Sequence, residues 1–146
     1  MEPVVGWMEG GLAGLFLASF LAATVLPFSS ELVLLGMAAA GWSPLELLVV
    51  ASAGNWLGGM SSYALGHLGD PDRLRKWLRV EVTRADRWRR RVAAYGPWAA
   101  LGCWLPVVGD VIAVALGLGR SPLVATALLM LAGKAVRYAV LLAPFQ

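Results

Sequence analysis

The sequence predicts an all-α integral membrane protein built as an inverted repeat. Each half is a re-entrant helical hairpin plus a transmembrane helix, and a basic amphipathic interfacial helix lies between the halves. Three observations lead there. The 146 residues are 59% hydrophobic and only 14% charged, with a mean hydropathy of +0.70, whereas a soluble domain carries about a quarter charged residues. A Leu-Pro step with an acid four residues past the proline occurs twice, as Leu26-Pro27-Phe28-Ser29-Ser30-Glu31 and as Leu105-Pro106-Val107-Val108-Gly109-Asp110, 79 positions apart. Residues 73–91 hold nine Lys/Arg against Glu81 and Asp86, which gives +7 there and −4 over the rest.

Repeat one spans 12–67. Residues 12–40 supply only about 43 Å of helix, too little for two crossings of a hydrocarbon core about 30 Å thick. They are therefore expected to enter, turn and leave. Pro27 removes a helical hydrogen bond at the turn, and Ser29 or Ser30 is placed to cap the returning helix, with Glu31 in its first turn. Residues 44–67 are long enough to cross. Ser43 is a candidate N-cap, Pro44 suits the first helical position, and Glu46 completes a capping box.

The linker helix is expected over 70–95. Asp70-Pro71-Asp72 opens it, and Leu74, Trp77, Leu78, Ala85, Trp88 and Val92 recur at helical spacing among the arginines. That pattern suits a helix on an anionic membrane surface, bound through Arg84, Arg87, Arg89, Arg90 and Arg91. Short loops rich in Lys and Arg remain on the cytoplasmic side, so the loop 68–96 is read as cytoplasmic. The alternative is a topology signal with no further role. Nucleic-acid binding is set aside, because the run is a short connection between spans.

Repeat two spans 97–143. Residues 98–118 could make one kinked crossing, but the repeat argues for a second hairpin broken at Pro106 to Gly109. Residues 121–143 form the second crossing, with Ser121 and Pro122 echoing Ser43 and Pro44. One hairpin plus one crossing per half is an odd number of crossings, so the halves oppose one another and their breaks meet near the midplane. Irregular backbone at that depth must be buried in protein or line a wet cavity.

Candidate substrate-binding residues follow from the cost of charge in hydrocarbon. Glu31 and Asp110 are the acids at matched positions; the plainer alternative is that each merely caps its return helix. Lys134 and Arg137 are the cations, on one helix face. Asn55 occupies the position matched to Lys134, and Arg120 lies at the mouth of the second hairpin. Gly54, Gly58 and Gly59 read as packing positions. Trp42, Trp56, Trp98 and Trp104 read as belt or packing residues, His67 as interfacial, and the single Cys103 as a small buried residue. No nucleophile motif, phosphate loop or metal-ligand spacing is present, so no enzyme, cofactor or metal is expected.

Four strings give a family resemblance: Pro27-Phe28-Ser29-Ser30-Glu31, Gly54-Asn55-Trp56-Leu57-Gly58-Gly59, Trp104-Leu105-Pro106-Val107-Val108-Gly109-Asp110 and Gly133-Lys134-Ala135-Val136-Arg137-Tyr138. They resemble the YqaA branch of the DedA superfamily, whose shared region is the VTT or SNARE-associated domain, and the likeness covers residues 12–143. The resemblance implies opposed re-entrant hairpins in an inner membrane protein, and lipid movement between leaflets, proton-dependent in some members. It also implies membrane-acid roles for Glu31 and Asp110. Many members carry arginines around the second proline. This chain has none between Arg91 and Arg120, so any phosphate would fall to Lys134, Arg137 or Arg120. The expected function is that of a flippase-like transporter of an anionic lipid, a polyprenyl phosphate or a phospholipid. The alternatives are a proton-linked ion or small-solute carrier and a non-transporting membrane scaffold. Membrane lipids are the expected partners, and homo-oligomerisation is left open.

Overall fold

A computed structural model describes residues 2–23, 30–69, 90–91, 93–105 and 108–146, with backbone alone for 2–9, Trp104, Val108 and Asp110. These residues form α1 (Glu2–Ala22), α2 (Ser30–Ala39), α3 (Pro44–Leu68), a 3₁₀ helix over Gly96–Trp104, α4 (Val108–Leu118), α5 (Leu123–Leu142) and a final 3₁₀ turn over Ala143–Phe145. Among the described residues there are no strands. The prolines expected to break the hairpins, Pro27 and Pro106, lie outside the described residues, as do Ser29 and the linker through residue 89 with Arg84, Arg87 and Arg89. The basic interfacial helix over 70–95 falls there too, apart from its last few residues.

Glycine decides how the helices meet. A Cβ on Gly54 would come within 2.5 Å of the Phe16 carbonyl oxygen, and one on Gly58 would strike the Phe20 carbonyl oxygen. The Ser62 hydroxyl donates to the Ala23 carbonyl oxygen at 3.1 Å. Positions 16, 20 and 23 thus track 54, 58 and 62, so α1 and α3 run parallel with backbones in contact. Gly66 and Gly117 make a second such crossing between α3 and α4, against the carbonyls of Val114 and Tyr63. In the second half, a Cβ on Gly109 would come within 2.5 Å of the Cys103 carbonyl oxygen and Gly102 faces Ile112, so the 3₁₀ helix and α4 fold back on each other.

Two buried clusters fill the bundle. Leu15, Leu34, Ala38, Leu47, Ala51, Tyr138 and Leu142 join α1, α2, α3 and α5. Tyr63, Ala100, Cys103, Ile112, Ala113, Ala115, Leu116 and Met130 join α3, the 3₁₀ helix, α4 and α5. Cys103 is buried, as a small core residue should be.

The turns after α2 and α4 repeat bond for bond at the 79-residue spacing. Ala40, Gly41 and Trp42 donate to the carbonyls of Gly36, Ala38 and Met37; Gly119, Arg120 and Ser121 donate to those of Ala115, Gly117 and Leu116. The left-handed position is Gly41 in the first turn (φ 91°) and Arg120 in the second (φ 51°).

Several expectations need correction. Pro44 does open α3 behind Ser43, but the Ser43 side chain makes no capping bond, so the capping box with Glu46 is absent. In the second copy Pro122, not Ser121, is the N-cap. The Ser-Pro-Leu strings are 78 apart while the helices they open are 79 apart, and Ser121 instead bonds the Thr126 hydroxyl at 2.8 Å. Gly109 and Ser30 sit inside the first turns of α4 and α2, not in the breaks. The first arm of the second half is 3₁₀, a thinner helix that carries nine residues over about 18 Å. α1 starts at Glu2, ten residues before the expected hairpin. Among the described residues, only Leu123–Phe145 is both long and apolar enough to cross a membrane. α3 has the length, at 25 residues, but Glu46, Ser52, Asn55, Ser61, Ser62 and His67 lower its hydropathy.

Candidate functional site

α3 and α5 cross antiparallel. The Trp56 indole donates to the Ala127 carbonyl at 2.9 Å, and the Tyr63 hydroxyl to the Ser121 carbonyl at 2.5 Å. At the centre of this crossing the Lys134 ammonium donates to the Asn55 side-chain oxygen. The Asn55 amide nitrogen in turn donates to the Ser19 carbonyl of α1 at 3.1 Å. Lys134 is 3% exposed and Asn55 4%, so the charge is held by built partners and not by bulk water. Gly59 makes room for it, since a Cβ there would lie 3.2 Å from the Lys134 nitrogen and 2.7 Å from the Met130 sulfur. Asn55 and Lys134 are also the pair matched by the 79-residue spacing.

A second polar group ties α2 to α5. Arg137 forms an ion pair with Glu31, their side chains 16% and 34% exposed. One residue along each helix, the Ser30 and Tyr138 hydroxyls bond at 2.9 Å. The Arg137 guanidinium lies 5.9 Å from the Tyr138 ring centroid, close enough for a cation–π contribution. Ser30 therefore bonds across the bundle instead of capping α2. Together the two groups put three charged side chains and two hydroxyls between the described helices.

The structure thus unites Glu31 with Arg137 and Asn55 with Lys134. The backbone of Asp110 lies in the first turn of α4, and its side chain is outside the described residues. Arg120 is exposed at the turn before α5, away from both groups in sequence. Arg90 and Arg91 are exposed. His67 stacks on Tyr63 at 6.0 Å, and Trp56 is a packing residue, whereas Trp98 is 66% exposed. Sequence reasoning missed Ser19 and Tyr138 as members of the site. Their only signal was a hydroxyl inside an apolar run, and that run alone does not say which helix it faces.

The comparisons agree with a membrane setting. No family model matches the chain, and no solved structure does. An uncharacterised protein of Haemophilus influenzae is 33% identical over 147 residues, covering 93% of this chain and 88% of its own. The inner membrane protein YqaA of Escherichia coli K12 is 37% identical over 128 residues, covering 87% of this chain and 85% of its own. Its counterpart in Shigella flexneri matches equally. Identity at that level over nearly the full length of both chains fixes descent, and the chain belongs to the YqaA family of inner membrane proteins.

Proposed function

We propose that the protein is a non-enzymatic lipid transporter that moves an anionic headgroup, polyprenyl phosphate or phospholipid, between leaflets. In this reading it is a member of the wider DedA superfamily. The observation that carries the reading is the pairing of Glu31 on α2 with Arg137 on α5. An ion pair between two helices of a membrane bundle is exchangeable: a phosphate oxygen can take the guanidinium from the carboxylate at little net electrostatic cost. Displaced from Arg137 by the headgroup, the Glu31 carboxylate is the acid that this reading assigns to proton exchange. Headgroup arrival and proton uptake are thereby coupled, and loss of the headgroup reverses both.

Lys134 supplies a second fixed positive charge, and Asp110 at the matched position of the second half is assigned the complementary acid role. The repeated turns and the contact of Asn55 with Lys134 support two opposed halves around a midplane axis, each with a re-entrant hairpin. The loop 68–96 is assigned to the cytoplasmic side, where its arginines meet anionic lipid. Purified protein in liposomes should accelerate leaflet exchange of a fluorescent anionic lipid, and Glu31→Gln with Asp110→Asn should abolish it. Flux driven by a pH gradient without lipid exchange would instead assign the cavity to a small solute. Activity lost on reversing charges over 84–91 but kept in Glu31→Gln would point to a scaffold.

A further inference from the structure

Serines in apolar helices ordinarily satisfy themselves by bonding the carbonyl four residues back. Ser61 does so to Leu57 at 2.9 Å, and Ser62 to Gly58 at 3.3 Å. Ser19 and Ser52 do not. Their hydroxyl oxygens are buried with no hydrogen-bond partner, and the residues are 0% and 6% exposed. A buried hydroxyl left unpaired is costly and is characteristically met by an internal water.

Both residues adjoin Asn55. Ser19 belongs to the α1 turn whose carbonyl receives the Asn55 amide, and a Cβ on the adjoining Gly54 would lie 3.2 Å from the Ser19 Cβ. Ser52 is three residues before Asn55, on the same side of α3. Its neighbour Ala51 shares a buried cluster with Tyr138, which places Ser52 on the Arg137–Tyr138 side of the Lys134 contact. The two open hydroxyls thus belong to residues that adjoin Asn55, the partner of Lys134, and their free valences complement water, which both donates and accepts.

We infer that Ser19 and Ser52 bind internal water beside the Asn55–Lys134 pair, forming a hydrated site at the centre of the bundle. This goes beyond the lipid reading and does not depend on it. The site hydrates the Lys134 ammonium where no bulk solvent reaches.

X-ray radiolysis of the full-length protein in nanodiscs tests this, because hydroxyl radicals form from bound water and label side chains next to it. Met130 is the reporter: it is 0% exposed, yet shares the Gly59 gap with Lys134. The expected result is Met130 oxidation on millisecond exposure in the native protein, reduced severalfold in Ser19→Ala/Ser52→Ala, with labelling of exposed Trp98 unchanged. Melting temperature is the second readout. Alanine lowers it if water is bound, and leaves it unchanged or raises it if the hydroxyls are dry. Native protein unlabelled at Met130, or labelling unaltered in the folded double variant, overturns the site. If the double variant does not fold, the native labelling decides alone.

Discussion

An ammonium group 3% exposed in an apolar bundle persists only with bonded partners, and Asn55 is one partner that faces Lys134. Removing the amide strips a hydrogen bond from a charge, which costs about 2–3 kcal/mol. Lys134→Met removes the charge but strands the Asn55 oxygen, at about 1–3 kcal/mol. Each change forfeits the same contact, so Asn55→Ala and Lys134→Met should be non-additive by about 1–2 kcal/mol. Reversible unfolding of the four proteins in mixed micelles measures this. Glu31 and Arg137 behave differently, being partly solvated: Glu31→Gln should cost about 1 kcal/mol of stability or less while abolishing transport. Loss of both together would reduce the pair to a structural brace. The places of Glu31, Asn55 and Lys134 within the bundle were legible from the sequence because charge in hydrocarbon is conspicuous and the spacing recurs. Their pairings were not, since Glu31 meets a residue 106 positions away whose helix orientation only packing determines.

At the scale of the element, two kinds of glycine make opposite forecasts. A Cβ at Gly58 or Gly117 would collide with a neighbouring backbone carbonyl, whereas one at Gly14 or Gly36 meets nothing within 4 Å. Gly58→Ala and Gly117→Ala should each destabilise by about 2–3 kcal/mol. Gly14→Ala and Gly36→Ala should stabilise by roughly 0.5–1 kcal/mol, because helix propensity is then the only term that changes. Thermal melts of the four variants give the sign directly. The repeated turn adds a matched test. Arg120 sits at φ 51° where the first copy has Gly41 at φ 91°. Arg120→Gly should gain about 1 kcal/mol and Gly41→Ala lose about as much. Helix existence was readable from apolar length and from prolines. The 3₁₀ character of Gly96–Trp104 was not, because no local residue pattern separates it from α-helix. The one-residue shift of Pro122 was also hidden, since the similar strings do not share the helical register.

For the whole molecule, the parallel run of α1 with α3 and the antiparallel run of α5 put particular ends together. Trp42 packs on Gly11, since a Cβ there would lie 2.6 Å from its ring. Two opposed halves then require residues 2, 42 and 146 on one side of the membrane and 70 and 120 on the other. Four simple crossings would instead group 2, 70 and 146. Cysteine labelling at those five positions in a Cys103→Ala background distinguishes the two arrangements. That the described residues are helical and free of strands was foreseeable from the apolar composition, whereas the start of the first helix at Glu2 was not. The central claim, that charges held between helices carry a lipid headgroup, is tested most directly by leaflet exchange in liposomes containing a fluorescent phosphatidylglycerol. Native protein should accelerate exchange well above empty liposomes, and folded Glu31→Gln and Lys134→Met should return it to that background. Native exchange at the background rate, or variants as fast as native, would contradict the account.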